Sequence, residues 1–220
     1  MPSRFTFFSN AEEIKSKYPI KEISVDLYPY YNLKPTNRAT GIIFNGSYQL
    51  VRMRWGFVKG KQFFKARAES VYEKPMFRKA FQEKRCLVLA NGFFEWNKET
   101  TTSIPYYFTV KNEPLFSLAG LYNSYVDEED NETKYQFAVI TTDANDLVGK
   151  IFHRMPVIIP HNLIEKWLDP KQTSETLISL LKPFPDHEMD SWQVDPLPSR
   201  GDNGPDTIKP AGTSGLADFF

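Results

Sequence analysis

Apolar and polar residues alternate along much of the chain, and helical spacing is confined to a few short stretches. The alternation predicts a strand over residues 48–58, with Val51, Met53 and Trp55 on one face. Five more strands are predicted from short apolar or alternating runs, at residues 86–90, 93–96, 104–110, 115–122 and 135–141. The acidic stretch 127–132 between the last two predicts a hairpin loop.

Short helices are predicted where apolar residues recur at helical spacing next to capping residues. They cover residues 9–18, 76–84, 143–150, 161–168 and 173–181, with a strand at 155–159 between the third and the fourth. In the first helix, either Ser9 with Glu12 or Asn10 with Glu13 fits a capping box.

Many strands with few, short and scattered helices predict an α+β fold: a mixed, mostly antiparallel, barrel-like sheet flanked by short helices. We expect a single domain over residues 1–198. Residues 199–220 hold four glycines and two prolines, which predicts a loosely docked or flexible C-terminal tail. Residues 28–36 hold two prolines and predict an irregular loop.

The composition of the 220 residues is that of a soluble globular protein, with 41% hydrophobic and 25% charged residues. The single cysteine, Cys86, excludes an internal disulfide and is expected to be a buried structural thiol. With three histidines in the whole chain, we expect no metal site and no cofactor. No apolar run is long enough to span a membrane and the N-terminus lacks a secretory signal, so we expect a cytoplasmic monomer.

Positive charge is concentrated between residues 52 and 85, although the formal net charge of the chain is zero. This segment holds eleven basic and three acidic side chains, a formal charge of +8, with seven aromatic residues interleaved. Cations that follow phosphates and rings that stack bases are typical of grooves for single-stranded nucleic acid. The alternative is a set of solvated charged faces over core aromatics.

Five stretches, in order along nearly the whole chain, carry a family resemblance. They are MPSRF at 1–5, YNLKPT at 31–36, MRWGFV at 53–58, KARAES at 65–70 with RCLVLANGFFEW at 85–96, and TTDANDLVGKIFHRMPVII at 141–159. Together they resemble the SRAP family, the SOS-response-associated peptidases or abasic-site-processing proteins. The resemblance implies a compact mixed domain with a bifurcated or barrel-like sheet.

The resemblance also implies an activity on abasic sites in single-stranded DNA. In the family, Met1 is removed and the next residue, a cysteine, condenses through its amine and thiol with the sugar aldehyde to give a thiazolidine crosslink. A glutamate and a histidine assist proton transfer, an asparagine positions the sugar, and arginines hold the phosphates. The expected partners are therefore single-stranded DNA and abasic-site DNA.

Pro2 stands where the family has its cysteine, so the thiazolidine has no thiol from which to form. One interpretation is that the nucleophile position is dead. The other is that removal of Met1 exposes a secondary amine, with an ordinary pKa of about 8, that forms an iminium with the aldehyde. An iminium favours β-elimination of the 3′ phosphate, which would be lyase chemistry.

Three other positions carry the remaining candidate catalytic residues. Glu95 matches the family glutamate, and between two aromatic residues its pKa is expected to rise toward values useful for acid–base chemistry. Lys65 replaces the family asparagine and is either a phosphate contact or a second amine at the sugar site. Phe152 replaces the family histidine. The neighbouring His153 is a poor substitute, because a shift of one residue in a strand reverses the side chain's direction unless the chain bulges.

The expected DNA-binding residues are Arg4, Arg67, Arg154, Trp55 and Lys65. An ion pair with Glu69 is the alternative for Arg67, and a core position is the alternative for Trp55. The sequence thus predicts an SRAP-like protein that binds single-stranded DNA at abasic sites in the DNA damage response, with the cysteine chemistry lost or altered. The alternatives are a catalytically silent DNA-binding scaffold and an amine-based abasic-site lyase that uses Pro2 or Lys65.

Overall fold

The computed structural model describes residues 4–59, 61–97, 103–198 and 204–212. The strands in these ranges are β1 (Arg4–Phe7), β2 (Tyr30–Leu33), β3 (Arg38–Phe44), β4 (Tyr48–Trp55), β5 (Phe57–Lys59), β6 (Lys61–Phe63), β7 (Lys65–Arg67), β8 (Arg85–Ala90), β9 (Gly92–Asn97), β10 (Ile104–Val110), β11 (Phe116–Val126), β12 (Thr133–Asp143), β13 (Arg154–Pro156), β14 (Ile158–Ile159) and β15 (Met189–Gln193). The α-helices are α1 (Ala11–Lys17), α2 (Pro75–Glu83), α3 (Asp146–Gly149), α4 (Ile164–Leu168) and α5 (Ser174–Ser179). Four 3₁₀ turns lie at Ala68–Ser70, His161–Leu163, Asp186–Glu188 and Pro205–Ile208.

Five strands close into a barrel. The hydrogen-bonded order is β12, β4, β3, β8 and β11, and β11 pairs back to β12. Only the β12–β4 pairing in this ring is parallel. Closure leaves no free edge within the ring, and alternate side chains such as Met53 and Trp55 point into a common core.

A second, open sheet of five antiparallel strands, in the order β15, β10, β9, β1 and β2, packs on the barrel. Its inner face supplies Phe5 and Phe93 to the main core, and its outer face carries a small separate cluster around Phe94 and Tyr107. The chain passes from β8 of the barrel to β9 of this sheet through Asn91. The buried Asn91 side chain accepts from the Phe8 amide (2.7 Å) and donates to Ser9 Oγ (2.9 Å), which satisfies its polar atoms at the crossing.

The α+β class and the barrel-like, mostly antiparallel sheet are confirmed. The first helix has the Asn10–Glu13 capping box, and the acidic stretch 127–132 is the hairpin loop between β11 and β12. The strand predicted at 48–58 is interrupted at Gly56, where a φ of +138° turns the chain out of β4.

Other sequence expectations are corrected. Residues 28–36 contain strand β2, which pairs with β1, so this segment is not wholly a loop. The helix predicted at 143–150 has only the four residues of α3, because Asp143 still belongs to β12. The division into residues 1–198 and a tail at 199–220 stays a prediction, although Ala211 donates its amide to the carbonyl of Gln193 (2.9 Å).

Arg85, at the start of β8, ties two helices to the barrel. Its guanidinium donates to the carbonyls of Phe81 (2.7 Å) and Gln82 (2.5 Å) at the end of α2, and to those of Trp167 and Asp169 (both 2.7 Å) at the end of α4. The last carbonyls of a helix have no partner within it, so one cation completes two helix ends. Only 4% of Arg85 is exposed, and burial lowers its pKa to about 10.

We predict that Arg85→Met lowers the free energy of unfolding by about 3 kcal/mol, because buried carbonyls at both helix ends lose their donor. Arg78→Met, on the exposed side of α2, is the matched control and should change stability by less than about 0.5 kcal/mol. Urea unfolding of the two variants measures the difference, and equal midpoints would contradict the anchoring role.

Candidate functional site

Glu95 is buried at the junction of the barrel and the open sheet. On β9 its neighbours Phe94 and Trp96 lie on the outer face, and Phe93 lies in the main core. Because side chains alternate along a strand, Glu95 shares the inner face with Phe93 and is directed toward the barrel. Only 1% of Glu95 is exposed, and burial raises its pKa to about 7, an increase that the positive charge of Lys65 opposes.

Lys65 reaches this junction from β7, which runs parallel to the end of β12. Lys65 lies opposite Val139 and Arg67 lies opposite Thr141. Ala66 between them is 1% exposed and points into the core, so Lys65 and Arg67 share the other face of the strand. The structure therefore brings together two of the predicted residues, Glu95 and Lys65, with the exposed Arg67 two positions along.

The guanidinium of Arg154 is hydrogen-bonded within the protein. Its two terminal nitrogens donate to both carboxylate oxygens of Glu69 (2.6 and 3.0 Å), to Asp143 Oδ1 (2.7 Å) and to the carbonyl of Thr141 (2.7 Å). Only 8% of Arg154 is exposed. This geometry does not favour the expected phosphate contact, because both terminal nitrogens already donate to protein oxygens and the Nε, which has no partner among the described residues, is buried.

The same network contains the residue that is the alternative partner of Arg67. Glu69 pairs with Arg154, and among the described residues Arg67 forms no ion pair. Burial acts to raise the pKa of Glu69, but hydrogen bonds from Arg154 and the charge of Arg67 bring it below its ordinary value. Sequence reasoning missed Asp143 as the second partner of Arg154. The sequence feature that could have indicated Asp143 is its position in the TTDAN motif at residues 141–145.

Arg4 lies on the other face of the open sheet. It pairs across strands with Phe94, so its side chain is on the outer face, opposite to Glu95. Its guanidinium donates to Asn32 Oδ1 (2.9 Å) and to the carbonyl of Pro198 (3.0 Å), and it lies 5.6 Å from the centroid of the Trp96 ring. Arg4 therefore does not join Glu95 and Lys65.

Trp55 is a core residue, so the expectation that it contacts DNA is corrected. The ring is 2% exposed and stacks on Phe137 at a centroid distance of 5.9 Å. Its Nε1 donates to the carbonyl of Phe64 (2.8 Å). A ring covered on this scale has no face to offer to a base.

His153 is exposed, and its ring lies 4.3 Å from that of Phe152. The argument from strand alternation does not apply to this pair, because both residues precede β13, which begins at Arg154. Within the described ranges no hydrogen bond or ion pair links His153 to Glu95. Pro2, the other candidate catalytic residue, lies outside the described residues.

Cys86 is fully buried within β8, and burial raises the pKa of its thiol. It is the structural residue that its apolar surroundings predicted. No helix within the described ranges is both long and apolar enough to cross a membrane.

Comparison with known proteins decides the family. The family model for SOS response associated peptidases (SRAP) matches residues 1–197. The chain belongs to the SRAP family. The abasic site processing protein YoqW of Bacillus subtilis strain 168 is 36% identical over 223 residues, covering 95% of this chain and 99% of that protein.

This SRAP chain is also similar to a second relative and to a solved structure. The abasic site processing protein YoaM of the same organism is 35% identical over 210 residues, covering 90% of this chain and 92% of its own. A crystal structure of a protein from Bacteroides thetaiotaomicron superposes with a TM-score of 0.73 at 33% identity, covering 83% of this chain and 85% of that one.

We predict that Glu95→Gln stabilises this SRAP protein at pH 8 and not at pH 5. Since the folded-state pKa of Glu95 is raised, its contribution to stability falls as the pH rises from its unfolded value, near 4.5, to about 7. At pH 8 the variant avoids a buried charge, so its free energy of unfolding should be higher by about 2 kcal/mol and its urea midpoint should increase. Urea titrations of both proteins at the two pH values measure this, and a pH-independent difference would contradict the raised pKa.

We also predict different roles for two neighbouring arginines. Arg154→Ala should lower the free energy of unfolding by about 2 kcal/mol, because the Thr141 carbonyl and two carboxylates lose their donor. Arg67→Ala, which removes an exposed side chain, should change stability by less than about 0.5 kcal/mol. Thermal unfolding monitored by circular dichroism separates the two, and equal losses would show that Arg67 is also structural.

Proposed function

We propose that this protein binds single-stranded DNA at abasic sites in the DNA damage response, without the family's cysteine crosslink. The observation that carries the proposal is the buried Glu95, whose pKa is about 7, beside the positive charge of Lys65. Relatives that align over nearly their full length are named abasic site processing proteins. A cytoplasmic monomer stays a prediction from the sequence.

The geometry supports distinct roles for three side chains. Arg67 is exposed, carries no ion pair among the described residues and is suited to hold a phosphate of the strand. Lys65 adds a second cation on the same face, next to the position of the sugar. Glu95 is close to half-protonated at neutral pH, so it can give a proton to the ring oxygen of the abasic sugar or take one from a reacting group.

The loss of crosslinking follows from covalent chemistry at Pro2. A thiazolidine needs one amine and one thiol on neighbouring atoms, and proline supplies no thiol. Cys86 does not replace it, because its thiol is buried inside the barrel and its pKa is raised by that burial. Phe152, at the position of the family histidine, supplies no proton-transfer group either.

Amine chemistry is the second candidate, because the interaction of Lys65 with Glu95 brings an amine close to an acid–base group. A neutral amine of Lys65, or of Pro2 after loss of Met1, would add to the C1′ aldehyde and release water to give an iminium. Removal of a C2′ proton by Glu95 would then expel the 3′ phosphate. The electrons of the C–H bond form the new double bond, and hydrolysis of the iminium returns the amine.

The binding proposal is tested with three single-stranded oligonucleotides of one sequence: undamaged, carrying a natural abasic site, and carrying a tetrahydrofuran analogue that has no aldehyde. Fluorescence anisotropy over a range of salt gives affinity and salt slope. We expect at least about fivefold tighter binding to both lesions than to undamaged DNA, and Arg67→Ala should reduce the slope by about 0.7. Lys171→Ala, another exposed cation, is the matched control and should leave the slope unchanged.

Equal affinity for all three oligonucleotides would overturn lesion recognition and leave the scaffold interpretation. Tighter binding to the natural site than to tetrahydrofuran would support covalent or imine chemistry. A denaturing gel with and without borohydride then tests the amine route, using protein whose Met1 is shown by mass to be absent, with Lys65→Ala and an N-terminally blocked form. A heat-stable adduct formed without reductant would contradict the loss of crosslinking.

A further inference from the structure

Three arginines and two tyrosines form a patch on the outer wall of the barrel. The members of this arginine patch are Tyr28, Tyr30, Arg38, Arg52 and Arg54. Met53 and Trp55 point into the core, so Arg52 and Arg54 alternate with them and point outward from β4. Arg38 stands directly opposite Arg54 on the neighbouring strand β3.

The Arg38–Arg54 pairing opposes folding. Side chains directly opposite each other in an antiparallel pair lie about 5 Å apart at Cβ, and like charges in this position are destabilising. Both side chains are exposed, and among the described residues none of the three patch arginines forms an ion pair. Two uncompensated cations held in register are a ready site for an anion.

Arg52 is fixed in place behind this pair. Its guanidinium donates to the carbonyl of Arg38 (3.1 Å) and lies 5.8 and 5.9 Å from the ring centroids of Tyr28 and Tyr30. Burial lowers the pKa of Arg52, and the charge of Arg38 adds to the decrease. The Tyr28 side chain is 53% exposed, so a ring already in contact with a cation is open to solvent. One acidic residue, Asp26, is in contact with the patch, and its carboxylate accepts from the Tyr28 hydroxyl (3.1 Å).

The arginine patch is separate from the Glu95 site but lies along the same strand edge. Strands β4 and β7 are consecutive partners on one edge of β12, with Arg54 opposite Gln136 and Lys65 opposite Val139. Three residues of strand cover about 10 Å. Because side chains alternate along β12, Arg54 shares the face of Gln136 and Lys65 shares the opposite face with Val139. The arginine patch is therefore a second surface, on the other face of the sheet from Lys65.

We infer that the arginine patch binds the phosphodiester backbone of single-stranded DNA outside the lesion site, with Arg38 and Arg54 on phosphate and Tyr28 stacked on a base. The inference rests on the proposed function for the identity of the polymer. The combination of unpaired cations with an exposed ring favours a nucleic acid over an acidic peptide, since a base and a phosphate use both parts of the patch. Arg38 comes from outside the basic segment at 52–85, so the patch exists only in the folded chain.

The test combines Arg38→Ala with Arg54→Ala in one variant. The control variant combines Lys166→Ala with Lys171→Ala, which removes the same charge from exposed positions in and after α4. Arg85 holds α4 near the end of β3 at which Ile43 pairs with Cys86. Arg38 lies at the other end of β3, so the control positions are away from the arginine patch. Salt-dependent anisotropy is measured on undamaged single-stranded DNA and on the tetrahydrofuran oligonucleotide, each in a long form and in a form with one nucleotide on either side of the central position.

On the long oligonucleotides the patch variant should lower the salt slope by about 1.4, with no change in the control. The short forms should bind the patch variant and the wild type alike, and Tyr28→Ala should weaken binding to the long forms about fivefold without changing the slope. Equal slopes for the patch variant and the control on long undamaged DNA would overturn the inference. Lack of preference for the lesion would instead overturn the proposed function, so the two failures are distinguishable.

Stability gives a readout that does not depend on DNA. If the paired arginines are kept for a ligand, Arg54→Gln removes a repulsion and should raise Tm by about 1–3 °C. A fall in Tm would show that Arg54 serves the fold and would contradict the inference. A synthetic acidic peptide added as competitor should not displace the long oligonucleotide at equal charge concentration, and displacement would favour a protein partner instead.

Discussion

Strand β12 is hydrogen-bonded on both edges, and the arrangement of the site depends on it. One edge pairs with β11 and then β13, and the other with β4 and then β7. The pairing with β11 and β4 closes the barrel, and the parallel pairing with β7 holds Lys65 near Glu95. A shift of one residue in this register would exchange the faces of Lys65 and Ala66, and the cation would be directed away from Glu95.

Closure of the barrel also explains why a carboxylate is buried. The open sheet packs its inner face on the barrel, and Glu95 lies on that inner face next to Phe93 of the main core. Burial of an ionised carboxylate costs free energy, so the proton is held up to a pH of about 7. An acid–base group that works at neutral pH needs a pKa near 7, and burial of the carboxylate provides it.

The arginines fall into two groups, buried ones that donate to protein oxygens and exposed ones. Arg85 and Arg154 are buried and donate to several protein oxygens, so they stabilise helix ends and strand ends. Arg38, Arg54 and Arg67 are exposed, with no ion pair among the described residues, and these are the cations available to an external anion. The family motifs contain both kinds, because a short sequence motif does not state which groups surround an arginine in space.

The sequence by itself determined the α+β class, the main strands and the family, and it reduced the first capping box to two alternatives, since alternation, capping and ordered motifs are local properties of the chain. It also determined that no thiazolidine can form at position 2, because that is a matter of which atoms proline has. Only the tertiary structure shows the surroundings of Trp55, Arg154 and His153. The partners of Arg154 are Glu69 and Asp143, which lie on separate elements. The short strands β1, β2 and β7 are stabilised by pairing with segments that are distant in sequence, and no local pattern predicts such pairing.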